Sequence, residues 1–184
     1  WYVGVGAGVA QIKNPDSDFL RVGGATESGA SMDTTHPTLR VLGGLKVNRY
    51  FGIEAGYGSY GTFGGQRTFS APAGTLGAKV HVTGFNFHAV GWLPLTDSFA
   101  GFAKVGYVAT TVKTEASTTL AGLTAPNLSR REINLAYGLG FQYDYSARWA
   151  FRAEWEQIKN VGNKNDYGLE TNVSVTSASA LMKF

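Results

Sequence analysis

The chain contains no cysteine, so neither a disulfide framework nor a thiolate metal site is available to it. It has no uninterrupted apolar run near the roughly 20 residues that a membrane-spanning helix needs, which excludes a helical membrane protein. Charge is sparse. Sixteen Lys and Arg stand against 13 Asp and Glu in 184 residues, for a net charge of +3 and a pI near 9.1. That balance is too mild for a nucleic-acid footprint, and no basic helix or aromatic-basic platform accompanies it. Histidine is limited to His36, His81 and His88, and no motif sets one of them beside a nucleophile and an acid. His81 is the nearest to a catalytic candidate, and it stands beside Lys79 as a solvated rim residue would. Asp16 and Asp18 lack the further oxygen ligands and the turn glycine of a calcium loop. The reading is therefore no enzyme, no metal and no cofactor. The chain opens at Trp1 in a strand pattern, without the basic and apolar regions of an export signal, which says nothing against secretion.

Glycine and alternation take the place of what is missing. There are 25 glycines and 43% hydrophobic residues, yet mean hydropathy is −0.09. In a membrane β-strand apolar-out and polar-in residues cancel over any window, so a value near zero is compatible with full insertion. Alternate residues of a strand face opposite sides, and the two parities separate cleanly. In the first segment Trp1, Val3, Val5, Ala7 and Val9 oppose Gly4, Gly6 and Gly8. These glycines lie within the alternation and not between a strand and a helix, so they form no dinucleotide fingerprint. Leu39, Val41, Gly43, Leu45 and Val47 oppose Arg40, Leu42, Gly44, Lys46 and Asn48; after a turn at 48–50, Phe51, Ile53, Ala55 and Tyr57 oppose Gly52, Glu54, Gly56 and Gly58. If Val47 sits opposite Phe51, Glu54 falls opposite Gly44 and diagonal to Lys46, within reach of an opposite-charge contact.

The same rhythm predicts strands at about 75–93, 99–111, 130–143, 149–158 and 172–184, for eight antiparallel strands in one domain, residues 1–184. Long polar connections at 13–36, 61–74, 112–129 and 159–171 alternate with short turns. Along 75–93 the pattern is imperfect. Lys79 and His81 fall on the apolar parity unless a bulge intervenes or they lie beyond the bilayer edge.

Two all-β architectures use such alternation: a soluble barrel with its apolar set inside, and a membrane barrel with that set against lipid. Three features favour the membrane form. Glycines crowd the polar parity, where a narrow eight-strand lumen needs small residues beside long charged ones. Trp1, Tyr50, Phe51, Trp92, Phe99, Tyr145, Trp149 and Phe184 cluster near the short turns, as an interfacial girdle would. Long loops occupy one end and short turns the other. The fold class is thus an all-β, eight-stranded, up-and-down transmembrane barrel with short periplasmic turns. Its lumenal candidates are Arg40, Lys46, Glu54, His88, Lys104, Gln142, Arg152, Glu154 and Glu156. Of these, Glu54, Arg152, Lys46, Lys104, Arg40 and Glu154 are taken as an ion-pair plug, because an unpaired buried charge is costly.

The stretch VNRYFGIEAGYGSYG at 47–61, PLTDSF at 94–99, FRAEWEQIKNVG at 151–162 and the terminal Phe184 resemble the transmembrane domain of the outer membrane protein A family. The resemblance covers the strand framework and little of the loops. It implies an ion pair between Glu54 and Arg152 across the lumen. A second lumenal lysine-glutamate pair, to which the first can switch, is not reproduced at the matching places, since no lysine lies near His88 and Gln142 stands where the glutamate is expected. It also implies residence in a bacterial outer membrane and delivery by the assembly machinery through Phe184.

Expected partners are outer-membrane lipid and lipopolysaccharide, together with other outer-membrane proteins, around a monomeric barrel. Lipopolysaccharide contacts are assigned to Arg67, Lys79, Lys113, Arg130, Arg131, Lys159 and Lys164 at the long-loop end, where cations meet glycolipid phosphate. The expected role is structural. A small water- or ion-conducting pore and a loop-borne adhesin are the alternatives.

Overall fold

The computed structural model describes residues 1–13, 26–32, 34–71, 73–119, 128–161 and 171–184. Its elements, all strands, are β1 (Tyr2–Lys13), β2 (Thr26–Met32), β3 (Thr35–Lys46), β4 (Phe51–Ala71), β5 (Ala73–Pro94), β6 (Phe99–Thr118), β7 (Leu128–Asp144), β8 (Trp149–Val161) and β9 (Thr171–Lys183). Around the barrel the order is β4, β3, β1, β9, β8, β7, β6, β5, and β5 pairs back to β4 to close it. β2 pairs with β4 through Met32↔Gly65, and β3 pairs with it through Leu39↔Ser59. The two thus occupy one slot, and the barrel has eight staves. All pairings are antiparallel, and the register Gly44↔Glu54, Lys46↔Gly52 is the one the alternation predicts.

The ends differ from expectation. The polar connection at 61–74 is a continuation of the β4–β5 hairpin as far as Ser70↔Ala73, residues 112–118 belong to β6, and 26–32 is strand within a stretch read as loop. β4, β5 and β6 run for 21, 22 and 20 residues, about twice the 9–11 that cross a bilayer. Their upper halves therefore stand above the membrane. Strand there is polar on one face and has no lipid to satisfy, so the apolar alternation that marks a spanning segment stops while the hydrogen-bonded ladder goes on. Gly61, at a φ of 101°, marks a bulge between Ser59 and Thr62 on β4.

That bulge lies in β4, whereas β5 runs unbroken against β6 from Leu76 to Pro94. Lys79 and His81 accordingly share the outer face with Phe85 and Phe87, above them and beyond the apolar band.

Ile133 is 76% exposed, Leu39 68% and Phe51 64%, in a continuous jacket of outward apolar side chains. A surface of that kind is untenable in water and requires lipid. At the short-turn end Trp1 stacks on Phe184 at 4.1 Å and Phe99 on Phe141 at 5.5 Å. Trp92 does not join this girdle, contrary to expectation. It is 4% exposed, because it shares its parity with Val90 and His88 and points into the lumen.

Candidate functional site: a layered lumen

The inward parity brings three glutamates and three cations to the middle of the barrel. Arg152 Nη1 lies 2.5 Å from Glu54 Oε2, and Tyr2 Oη donates to the same oxygen at 2.9 Å. The second guanidinium nitrogen, Nη2, donates to Gln142 Oε1 at 3.1 Å, while the guanidinium faces the Phe102 ring at 4.7 Å. Beside this pair Lys104 Nζ reaches Glu154 Oε1 at 2.7 Å and Glu156 Oε2 at 2.5 Å. Arg40 Nη1 lies 2.5 Å from Glu154 and 3.5 Å from Glu156, and Nη2 donates to Ser179 Oγ at 3.3 Å. The three carboxylates Glu54, Glu154 and Glu156 are matched in number by Arg40, Lys104 and Arg152. Such mutual pairing is the condition on which charges tolerate burial.

Five of the six residues assigned to the plug are therefore brought together. Lys46 is the exception: its ammonium sits 5.0 Å from the Trp92 ring centroid at the short-turn mouth. The reason lies on the neighbouring strand, where Tyr2 of β1 pairs with Gly44 of β3. The Tyr2 ring occupies the space above Gly44, so close that a Cβ there would lie 2.2 Å from Tyr2 Cζ, and it stands between Lys46 and Glu54. Strand parity places residues on a face, but it does not show which side chain reaches over from another strand. A second set of lysine-glutamate contacts, absent where the resemblance locates it, exists on other strands, through Lys104 of β6 and Glu156 of β8.

The lumen also has apolar ends that the sequence reading missed. One contact cluster below the ion pairs contains Tyr2, Leu42, Val90, Trp92, Phe102 and Leu181. Another above them contains Tyr60, Phe63, Val82, Val108, Val112 and Ile158. Large apolar residues on the inward parity, such as Leu42, Val90, Trp92 and Phe102, were the available signal.

The family model for the OmpA-like transmembrane domain matches residues 1–184. The chain belongs to that family. It is an integral outer-membrane β-barrel. No curated protein sequence matches it significantly. Among solved structures, this OmpA-like barrel is similar to the N-terminal β-barrel domain of Pseudomonas aeruginosa OprF, with 10% identity, TM-score 0.58, and 100% of this chain and 97% of that one covered. It is also similar to the outer membrane protein OprG of the same organism, with 16% identity, TM-score 0.55, and 100% and 95% covered. A third is Ail, the attachment invasion locus protein of Yersinia pestis, in complex with the heparin analogue sucrose octasulfate, with 15% identity, TM-score 0.53, and 100% and 98% covered. At these identities the likeness shows a common fold.

The cations assigned to the outer rim of this OmpA-like barrel do not form one group. Lys79, Lys113 and Arg131 are exposed on the outer face of β5, β6 and β7. Cross-strand register places His81 opposite Lys113, Lys79 opposite Glu115 and Thr111 opposite Arg131, just above Phe85 and Ile133. Arg130 shares the inward parity of Asn134. Lys159 lies over the Tyr137 ring at 5.8 Å. Of Arg67 only the backbone is described, and Lys164 lies outside the described residues. His81 hydrogen-bonds Thr62 Oγ1 at 2.7 Å, an arrangement of two rim residues with no acid partner among the described residues.

Proposed function

We propose that this barrel is a structural component of the outer membrane, with a lumen closed by a cross-braced interior and no role as an open pore. One observation carries the reading. Arg152 and Glu54 join β8 to β4, which lie four strands apart whichever way the barrel is traversed. Arg40 of β3 and Lys104 of β6 likewise meet β8 across the lumen. These contacts tie together strands that share no ladder, which is what a strut does and a lining charge of a wide channel does not.

Two measurements test it. A double-mutant cycle of Glu54→Gln and Arg152→Met, followed by urea unfolding in lipid vesicles, is expected to give a coupling of about 1–3 kcal/mol. Wild-type protein in planar bilayers is expected to be silent. A coupling near zero would remove the strut, and steady single-channel currents would favour the pore.

Lipopolysaccharide is the lipid partner we propose, met along one arc of the barrel by Lys113 and Arg131 with Lys79 and His81 beside them. The supporting observation is their height, one to three outward positions above the apolar band on three adjacent strands. Phosphates of the outer-leaflet glycolipid lie at that level, and charge-assisted contacts there reinforce the embedded barrel. Lys113→Gln with Arg131→Gln is expected to reduce the rise in melting temperature that added lipopolysaccharide produces, leaving the melting temperature in neutral detergent unchanged. An undiminished rise would count against the assignment. The tall wall formed by β4, β5 and β6 supports a further reading as a surface-binding element, to be tested by adhesion assays on barrels with this wall shortened.

A further inference from the structure

The ion pairs occupy the middle of the lumen, but every strand that supplies one places apolar residues on either side of it or joins others that do. On β6 the inward sequence upward is Phe102, Lys104, then Val108; on β8 it is Ala150, the Arg152 to Glu156 group, then Ile158. On β9, read upward, Leu181 gives way to Ser179 and Ser177 and then to Val175. β5 repeats the order with Trp92 and Val90, then His88 and Asn86, then Val82.

We infer that the permeability barrier of this barrel is a pair of apolar septa below and above the ion pairs, and that the charged layer between them braces the wall without acting as the gate. This rests on the closed-lumen reading and locates what does the closing. The lower septum is made by Tyr2, Leu42, Val90, Trp92, Phe102 and Leu181, all between 1% and 6% exposed. An ion or water passing it must shed hydration for little in exchange, since the only polar atoms of these six side chains are the lone Trp92 indole N–H and the Tyr2 hydroxyl already engaged by Glu54. Apolar constrictions of this kind close pores by dewetting. The charged layer presents the opposite surface. Glu154 Oε2, Glu156 Oε1, Ser177 Oγ and both ring nitrogens of His88 are buried without a hydrogen-bond partner, and polar groups of this sort accommodate water. Opening the Glu54–Arg152 pair would widen a layer that is already hydrophilic and leave both septa in place.

The absence of cysteine makes a direct test available. Ser177→Cys puts a single thiol in the charged layer, where Ser177 is 6% exposed, and its rate of reaction with a water-soluble cationic methanethiosulfonate reports access. In the otherwise unaltered barrel that thiol is expected to react slowly. Adding Glu54→Gln and Arg152→Gln should leave the rate within about twofold, whereas adding Trp92→Ala and Phe102→Ala should raise it roughly tenfold or more by removing the lower dewetted constriction. Should the latter pair fail to give the heat-modifiable folded band, Leu42→Ser breaches the same septum with a smaller loss of volume.

If neutralising the ion pair speeds labelling as much as breaching the septum does, or if the septum variants label no faster than their parent, the inference is overturned while a closed lumen stands. Rapid labelling of Ser177→Cys in the parent barrel would instead overturn the closed-lumen reading, and the septa with it.

Discussion

Lys104→Met is expected to destabilise the folded barrel by about 3–5 kcal/mol, the range for removing one partner from a buried charge cluster. The lysine is 4% exposed and is the shared cation of Glu154 and Glu156. Without it three carboxylates face two guanidiniums. Glu156 is then left with Arg40 at 3.5 Å and with His88 Nε2 at 3.8 Å, beyond hydrogen-bond range. Methionine fills most of the volume, so the loss is electrostatic and not a cavity. Adding Glu156→Gln restores the balance of Glu54 and Glu154 against Arg40 and Arg152, and should recover much of the stability, because a removed pair costs far less than a broken one. Urea titration in lipid vesicles, followed by tryptophan fluorescence, measures both. A loss below about 1 kcal/mol for the single variant, small against the broken-pair range, would mean that water admitted to the charged layer solvates the carboxylate left without its lysine.

Gly106→Ala is the second large effect. Gly106 faces the lumen on β6 between His88 of β5 and Ala136 of β7. A Cβ added there would lie 2.0 Å from the Phe87 carbonyl oxygen and 2.7 Å from His88 Cα. Both obstacles are backbone within the β5–β6 ladder, so relief requires the ladder itself to move. The expected cost is about 3 kcal/mol or more, at the upper end of overpacking penalties. Gly43→Ala supplies the control, since its Cβ would meet nothing nearer than the Tyr2 carbonyl oxygen at 3.8 Å. A shift within about 0.5 kcal/mol is expected there, as for an ordinary surface change. Equal unfolding midpoints for the two alanine variants would show that the ladder yields at Gly106 as easily as lipid does at Gly43.

The two substitutions also separate what sequence patterning can reach from what it cannot. Gly106 lies on a parity that alternation identifies, between Lys104 and Val108, and its need for a missing side chain follows from being inside a narrow barrel. The charge cluster is different. Lys104, Glu154, Arg40, Glu54 and Arg152 were identifiable as lumenal because each falls on the polar parity of its own strand. Which of them meet depends on barrel tilt and on the reach of side chains over several strands. Lys46 shows the limit. Its register with Glu54 was read correctly, and the contact still does not form, because the Tyr2 ring from β1 fills the gap over Gly44. Trp92 is a different case. An aromatic near a short turn resembles a girdle residue, but its parity with His88 and Val90 already set it on the inward face, where it is 4% exposed.

Local order in the chain, through the period of two, determined by itself that this protein is a strand-built membrane barrel, which face meets lipid, where the short turns fall and which charges are inside. The reason is that lipid imposes one condition, an apolar outer parity, on each spanning strand independently, and that condition is written residue by residue. Tertiary structure alone decided the extent of the strands above the bilayer, where lipid no longer imposes the pattern. It also decided the pairing of Lys104 with both Glu154 and Glu156 and of Arg40 with Glu154, whereas the Arg152–Glu54 pair was already implied by the family resemblance, though not by the alternation. The assembly of Tyr2, Leu42, Val90, Trp92, Phe102 and Leu181 into one apolar layer belongs with these. Each depends on distances across a closed lumen between residues far apart in sequence, and those distances exist only once the first strand has met the last.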